Sequence, residues 1–432
     1  MRRFGPALQE RDFRLWWFAL LGMGISLQML EVAIGWEVYA QHRSVLDLGW
    51  IGLAEFAPML VLALPAGQLA DRLPRRLIFA GALLLGAAVG AGLALLSASG
   101  AAALVPYLLF AVGAGASMAL ASPAARAMPP TLVGAELLPS AMTLRSIAAQ
   151  GGMVIGPALG GLLYGRSPTL VYSLAAAACL LAAGSVLLMS RHPAADAAHA
   201  ADAVGTVEAR AGQAQSLESV LEGLRFVRRT QILLAAILLD LLAVLFGGAV
   251  ALLPVFARSI LHVGPTGLGI LRAAPAVGAL LAAALITRRP IGGRAGRTLL
   301  IVVALYGASI IVFGLSRVYL ISLLALGVSG FVDLYSVNIR STTVALATPD
   351  RLRGRVNAVE MVFISASNQL GAFESGLAAF LVGTIPAVVG GGAITILIAI
   401  GWSRLFPALA DVDRLEDIEP PLQAVPQLVV GP

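Results

Sequence analysis

Four carboxylates stand inside long apolar runs of this chain: Glu31, Asp240, Asp333 and Glu374. An unpaired charge in hydrocarbon costs several kcal/mol, so each is a candidate for function. The chemistry such a group offers is reversible protonation, because loss of water favours the neutral carboxyl and renewed contact with water favours the charged one. Fixed salt bridges are the structural alternative, for instance Glu55 with Arg272 at matched depth. Glu37 and Glu55 lie nearer the ends of their runs and are read as interfacial. Trp36, Phe331 and Tyr335 could stack against a planar cargo, although most aromatics in such runs serve packing or the interfacial belt.

Other chemistries are poorly provided for. The lone cysteine, Cys179, excludes a disulfide or a Cys-based metal site within one chain. His42, His192, His199 and His262 all fall in loops, and no nucleophile has plausible partners. Neither a catalytic centre nor a metal site is therefore expected. A phosphate-cradling loop of ATPase type is also absent, so any work done must draw on an ion gradient.

The elements that carry the carboxylates are membrane spans. Of 432 residues 59% are hydrophobic and only 12% charged, with a mean hydropathy of +0.90, whereas soluble domains carry about 25% charged residues. Runs of roughly 20 apolar residues, each able to cross about 30 Å of hydrocarbon, recur throughout. The first six are predicted over Leu15 to Tyr39, Trp50 to Ala70, Leu77 to Leu96, Leu104 to Arg126, Ser140 to Tyr164 and Leu170 to Met189. The second six are predicted over Ile232 to Phe256, Thr266 to Thr287, Leu299 to Leu315, Tyr319 to Arg340, Val356 to Val382 and Ala387 to Phe406. The first run is too long for a signal peptide and is read as an uncleaved span.

All basic residues are arginine, and the formal net charge is +6. Clustered basic patches with stacking aromatics are missing, so nucleic acid is not an expected partner. Instead the arginines alternate by side. Arg2, Arg3, Arg11, Arg14, Arg75, Arg76, Arg225, Arg288, Arg289 and Arg351 fall on one side with many others, against only Arg43, Arg166, Arg258 and Arg317 in the opposite loops. The positive-inside rule then places both termini in the cytoplasm, with an even number of spans.

The chain divides into residues 1–190, 191–230, 231–410 and 411–432: a six-helix bundle, a cytoplasmic linker, a second six-helix bundle and a cytoplasmic tail. Within the linker, Leu217, Val220, Leu221, Leu224 and Val227 recur at helical spacing ahead of Arg228 and Arg229. This predicts an amphipathic helix, lying on the membrane or solvated as a connector. The two bundles repeat: Gly156 and Gly161 match Gly371 and Gly376 at an offset of 215, and Gly52, Ala57 and Pro58 match Gly269, Ala274 and Pro275 at 217. Such offsets indicate one duplicated unit, with a ligand site at the interface of its copies.

Two motifs sharpen the reading. After the second span comes Gly67-Gln-Leu-Ala-Asp71-Arg72-Leu-Pro-Arg75-Arg76, and the fifth span carries Gly152, Gly156, Pro157, Gly160 and Gly161. The first resembles the signature loop of the major facilitator superfamily; the second resembles the antiporter signature of its drug–proton antiporters. With Arg11-Asp12-Phe13-Arg14 and Arg353-Gly-Arg355-Val-Asn-Ala358, the chain is similar to the enterobactin-exporter and macrolide-efflux branch.

The resemblance implies an all-α fold of twelve transmembrane helices in two pseudo-symmetric bundles, in the bacterial inner membrane. It implies export of a siderophore or drug-like amphiphile by alternating access and proton antiport; proton-coupled uptake and lysophospholipid flipping are the alternatives. Glu31, Asp240 and Asp333 would then stand on cavity-lining spans, and Asp71 would form a breakable latch with Arg126 and the segment holding Arg353 and Arg355. Expected partners are a small-molecule cargo, protons and membrane lipid, for a monomer without cofactor.

Overall fold

The computed structural model describes residues 5–190, 217–289 and 292–418, leaving out the side chains of residues 63–64, 67–68, 70–72 and 217–220. Six helices form the first half: α1 (Arg11–His42), α2 (Val45–Arg72), α3 (Arg75–Ser99), α4 (Leu104–Ala127), α5 (Leu138–Tyr164) and α6 (Pro168–Leu187). The connector helix α7 spans Leu217–Arg229. The second half comprises α8 (Gln231–Gly247), α9 (Gly264–Arg288), α10 (Ala295–Leu315), α11 (Tyr319–Ala347), α12 (Arg353–Val382) and α13 (Thr384–Leu405).

Eleven helical segments are long and apolar enough to cross a membrane, among the described residues. The twelfth, α12, has 30 residues and hence about 45 Å of length. It falls short in hydropathy because Arg353, Arg355, Glu360, Asn368, Gln369 and Glu374 stand on it. A helix shielded from lipid by its neighbours tolerates such residues, and α12 is packed by α2, α8 and α13.

The duplication is written into the helix contacts. Gly115 of α4 lies so close to α2 that a Cβ would strike the Glu55 carbonyl, and Gly330 of α11 approaches the Pro275 carbonyl of α9 in the same way. Gly90 packs on Ala176 between α3 and α6; Gly307 packs on Gly392 between α10 and α13. Close backbone approach through small residues supplies dispersion energy where lipid removes the hydrophobic drive.

One predicted span departs from its repeat. Where α1 is a continuous helix, its counterpart breaks after Gly247 and continues through a 3-10 turn at Val250–Leu252 and a π turn at Phe256–Ile260. Backbone freed at membrane depth must find partners. The Gly247 carbonyl accepts from the Tyr306 hydroxyl at 3.2 Å, and the Gly248 carbonyl accepts from Ser375 at 2.7 Å.

The connector helix is docked rather than afloat. Glu222 pairs with Arg355, Gly223 sits against the Arg355 backbone, and Val227 is buried with Leu352, Val356 and Val359 at the start of α12. Leu221, Arg225, Arg228 and Arg229 remain exposed on the other side. The low-complexity part of the linker and the end of the tail lie outside the described residues.

Candidate functional site

Between the halves lies a cavity of about 440 Å³, within the size range of small-molecule sites. Its walls come from α1, α2 and α5 on one side and from α8, α9, α10 and α12 on the other. Apolar lining is supplied by residues such as Ile34, Ile51, Met153 and Leu268, and polar lining by Gln28, Glu31, Glu55, Arg272, Asn368 and Gln369.

Arg272 of α9 reaches across to the Glu31 carboxylate of α1, so one ion pair ties the two halves together in the cavity wall. The expected pairing of Arg272 with Glu55 is not the one adopted. Glu55 feels the charges of both Glu31 and Arg272, yet it has no hydrogen bond or ion pair to any described residue. A signal for this arrangement existed in the sequence: Glu55 and Arg272 are 217 residues apart, the offset of Pro58 and Pro275, and so are repeat mates carrying opposite charge.

The cavity is closed towards the arginine-poor end, where α1 meets α2 and α5 meets α6. A Cβ on Gly376 of α12 would lie 3.0 Å from the Gly49 Cα of α2. One on Gly161 of α5 would lie 2.9 Å from the Gly269 Cα of α9. These two seams are repeats of each other. Around them Trp50 packs against Phe373 at 5.3 Å, Tyr39 and Ser259 share a 2.9 Å hydrogen bond, and the Arg258 guanidinium lies 5.5 Å from the Trp36 ring centroid. Trp36 therefore belongs to the seal and is buried, instead of facing cargo.

Glycines of the antiporter motif divide their work by face. Gly152, Gly156 and Gly160 sit against α1, where a Cβ would stand 3.0 Å from Gly24 Cα, 2.6 Å from Gln28 Cβ and 3.0 Å from Met29 Cα. Gly161 and the Pro157 carbonyl face α9 in the other half.

Several expected site residues lie elsewhere. Asp240 and Asp333 do not line the central cavity; they gather round Arg340 inside the second half, with Ser336 and Tyr306 beside them. Asp240 forms an ion pair with Arg340, and Glu360 borders the same group. The signal was available as Asp333, Ser336 and Arg340 at positions i, i+3 and i+7, one helical face. Phe331 and Tyr335 stack on each other at 5.4 Å against the second half's core, whereas Tyr306 reaches the cavity. Glu374 is not part of the lining.

Glu37, five residues from the end of α1, is buried, at 4% exposure. Tyr172 donates to its carboxylate at 2.6 Å and Ser97 at 2.9 Å, binding α1 to α6 and α3.

Around the signature loop, Gly67 and the Asp71 and Arg72 side chains fall outside the described residues. Arg75 donates to the Ala127 carbonyl at 2.9 Å and Arg76 to that of Leu187, fastening α3 to the ends of α4 and α6. Arg353 pairs with the nearby Asp350 at 3.0 Å, and Arg355 with Glu222 of α7. Arg126 meets Met361 of α12 across the halves, at 3.4 Å to sulfur.

Two six-helix halves around a central polar cavity define a secondary transporter rather than an enzyme. The chain belongs to the transmembrane secretion effector family of the major facilitator superfamily, which matches residues 3–428. It is 26% identical over 380 residues to the enterobactin exporter EntS of Citrobacter koseri, covering 86% of each chain. It is 29% identical over 371 residues to the multidrug efflux pump Tap of Mycolicibacterium fortuitum, covering 83% of this chain and 87% of that one. Its fold matches a bacterial homolog of the human lysosomal transporter Spinster, inward-facing and unoccupied, with a TM-score of 0.70 at 16% identity over 95% and 99% of the chains. A D-xylose–proton symporter matches at 0.70 and 14% identity, over 92% and 98%. The protein is a multi-pass inner-membrane transporter of small molecules.

Proposed function

We propose that this transporter exports an amphiphilic small molecule from the cytoplasm in exchange for protons, with both termini and the arginine-rich end on the cytoplasmic side. The observation that carries the reading is the Glu31–Arg272 pair, which joins the two halves in the wall of a cavity whose arginine-poor end is closed by tight helix seams. A protonated Glu31 has no charge to hold Arg272, so loading a proton loosens the tie between α1 and α9 and permits the halves to rock. Loss of that proton re-forms the pair. The arginine excess supports the orientation, and the similarity to exporters supports the direction.

The test is efflux of a fluorescent amphiphile from proteoliposomes under an imposed pH gradient. Glu31→Gln is expected to abolish the pH-driven component, because the neutral amide neither loads a proton nor grips Arg272 as an ion pair. An undiminished response in that variant would refute the coupling role, and proton-driven uptake in the wild type would refute the direction.

A further inference from the structure

We infer that Glu55 is the cavity's binding site for a cationic group of the cargo, such as an ammonium, and that Arg272 switches between Glu31 and Glu55 to exchange that cation for a proton. The inference deepens the export reading and rests on it. Three charged side chains line the cavity: two carboxylates and one guanidinium. The guanidinium is committed to Glu31, leaving Glu55 facing the cavity with no hydrogen bond or ion pair to any described residue. An anionic cargo would find the wall's one cation already taken by Glu31. A cationic cargo completes the wall.

The groups that share the cavity with Glu55 or pack on its helix come from five helices. Glu31 comes from α1, Arg272 from α9 and Tyr306 from α10, while α12 brings the neutral Asn368 and Gln369. From α4 comes the backbone at Gly115; its Tyr107 is hydrogen-bonded to Gln41, and its Arg126 reaches Met361. No described cation other than Arg272 therefore competes for Glu55.

The exchange balances in charge. With Glu31 ionised, Arg272 is held there and Glu55 carries the cargo cation. When a proton enters from the outer water onto Glu31, Arg272 is released and pairs with Glu55, its repeat mate on the facing helix, displacing the cation. One proton replaces one positive charge, and the cavity stays neutral in both states. The apolar part of the lining, from Ile34, Ile51, Met153 and Leu268, suits the body of an amphiphile.

The experiment measures equilibrium binding of tetraphenylphosphonium to the purified full-length protein, beside its efflux from proteoliposomes. Wild type is expected to bind this cation, and binding should weaken as the pH falls. Glu55→Gln should weaken binding by roughly 30-fold or more, the loss that accompanies removal of one partner of a desolvated charge pair. Glu31→Gln should also weaken it, since the freed Arg272 then occupies Glu55. Adding Arg272→Gln to Glu31→Gln should restore binding, a gain that misfolding cannot imitate. Wild-type affinity in Glu55→Gln, no restoration in the double variant, or failure of the wild type to bind the cation would each overturn the assignment. If the wild type binds the cation but does not export it along a pH gradient, the export reading fails and the Glu55 site stands. If it exports the cation while Glu55→Gln binds it unchanged, the site fails and the export reading stands.

Discussion

A carboxylate in this molecule is defined by what surrounds it, and neighbouring turns of α1 make the contrast. Glu31 faces the cavity and a cation in the other half; Glu37, six residues on, is enclosed by Tyr172, Ser97 and Gln41 of its own half. Six residues rotate the helix by about 240°, so the two side chains leave on well-separated faces. The first is placed to change partners when the halves move. The second binds three helices of the same half. Replacing Glu37 with leucine leaves the buried Tyr172 hydroxyl without its acceptor, at about 1–3 kcal/mol, and frees the part-buried Ser97 hydroxyl as well. Glu37→Leu is accordingly expected to unfold at a lower temperature in detergent while the transport rate per folded molecule is retained; an unchanged unfolding temperature would contradict the structural role.

Helix packing explains why glycine recurs on the α1-facing side of α5. Gly151 and Gly156 occupy the same helix, but a Cβ at 151 would lie an ordinary 3.4 Å from a flexible Leu21 methyl, whereas one at 156 would lie 2.6 Å from Gln28 Cβ and 2.9 Å from the Ile25 carbonyl oxygen. Overpacking of that kind costs about 1–3 kcal/mol. Gly156→Ala should therefore lower thermal stability and transport together, with Gly151→Ala close to wild type, and equal behaviour of the two would show that α1 and α5 are not in tight register. The sequence made such elements legible because apolar runs, small-residue spacing and repeat offsets all follow from local pattern. Even the polar α12 is legible as the run from Val356 to Val382. Side-chain pairing was harder to read. Depth along a span matched Glu55 with Arg272, but the pair that forms also depends on helix rotation and on how the halves abut, and Glu31 took the guanidinium. The same limit misplaced Asp240, Asp333, Phe331 and Tyr335, whose helices turn these side chains into the second half rather than towards the cavity.

At the scale of the whole molecule, the duplication places two equivalent seams at one end of the cavity: Gly49 with Gly376, and Gly161 with Gly269. Alternating access requires both to part when the cavity opens that way, because each joins a helix of one half to a helix of the other. A covalent tie across either seam tests the requirement. Gly49 and Gly376 face each other closely enough for a disulfide, whose Cβ atoms sit about 3.5–4.5 Å apart. The native Cys179 is buried at 1% exposure and does not compete. Oxidising the Gly49→Cys, Gly376→Cys double variant should hold the arginine-poor end shut, so that efflux stops while cargo still binds from the arginine-rich end. Reduction should restore transport, which separates a lock from the damage done by two added side chains. Each single variant, treated with the same oxidant, should show no redox-dependent change. Undiminished efflux from fully crosslinked protein would mean that this seam stays closed throughout the cycle, and that the halves do not rock about the cavity as rigid bodies.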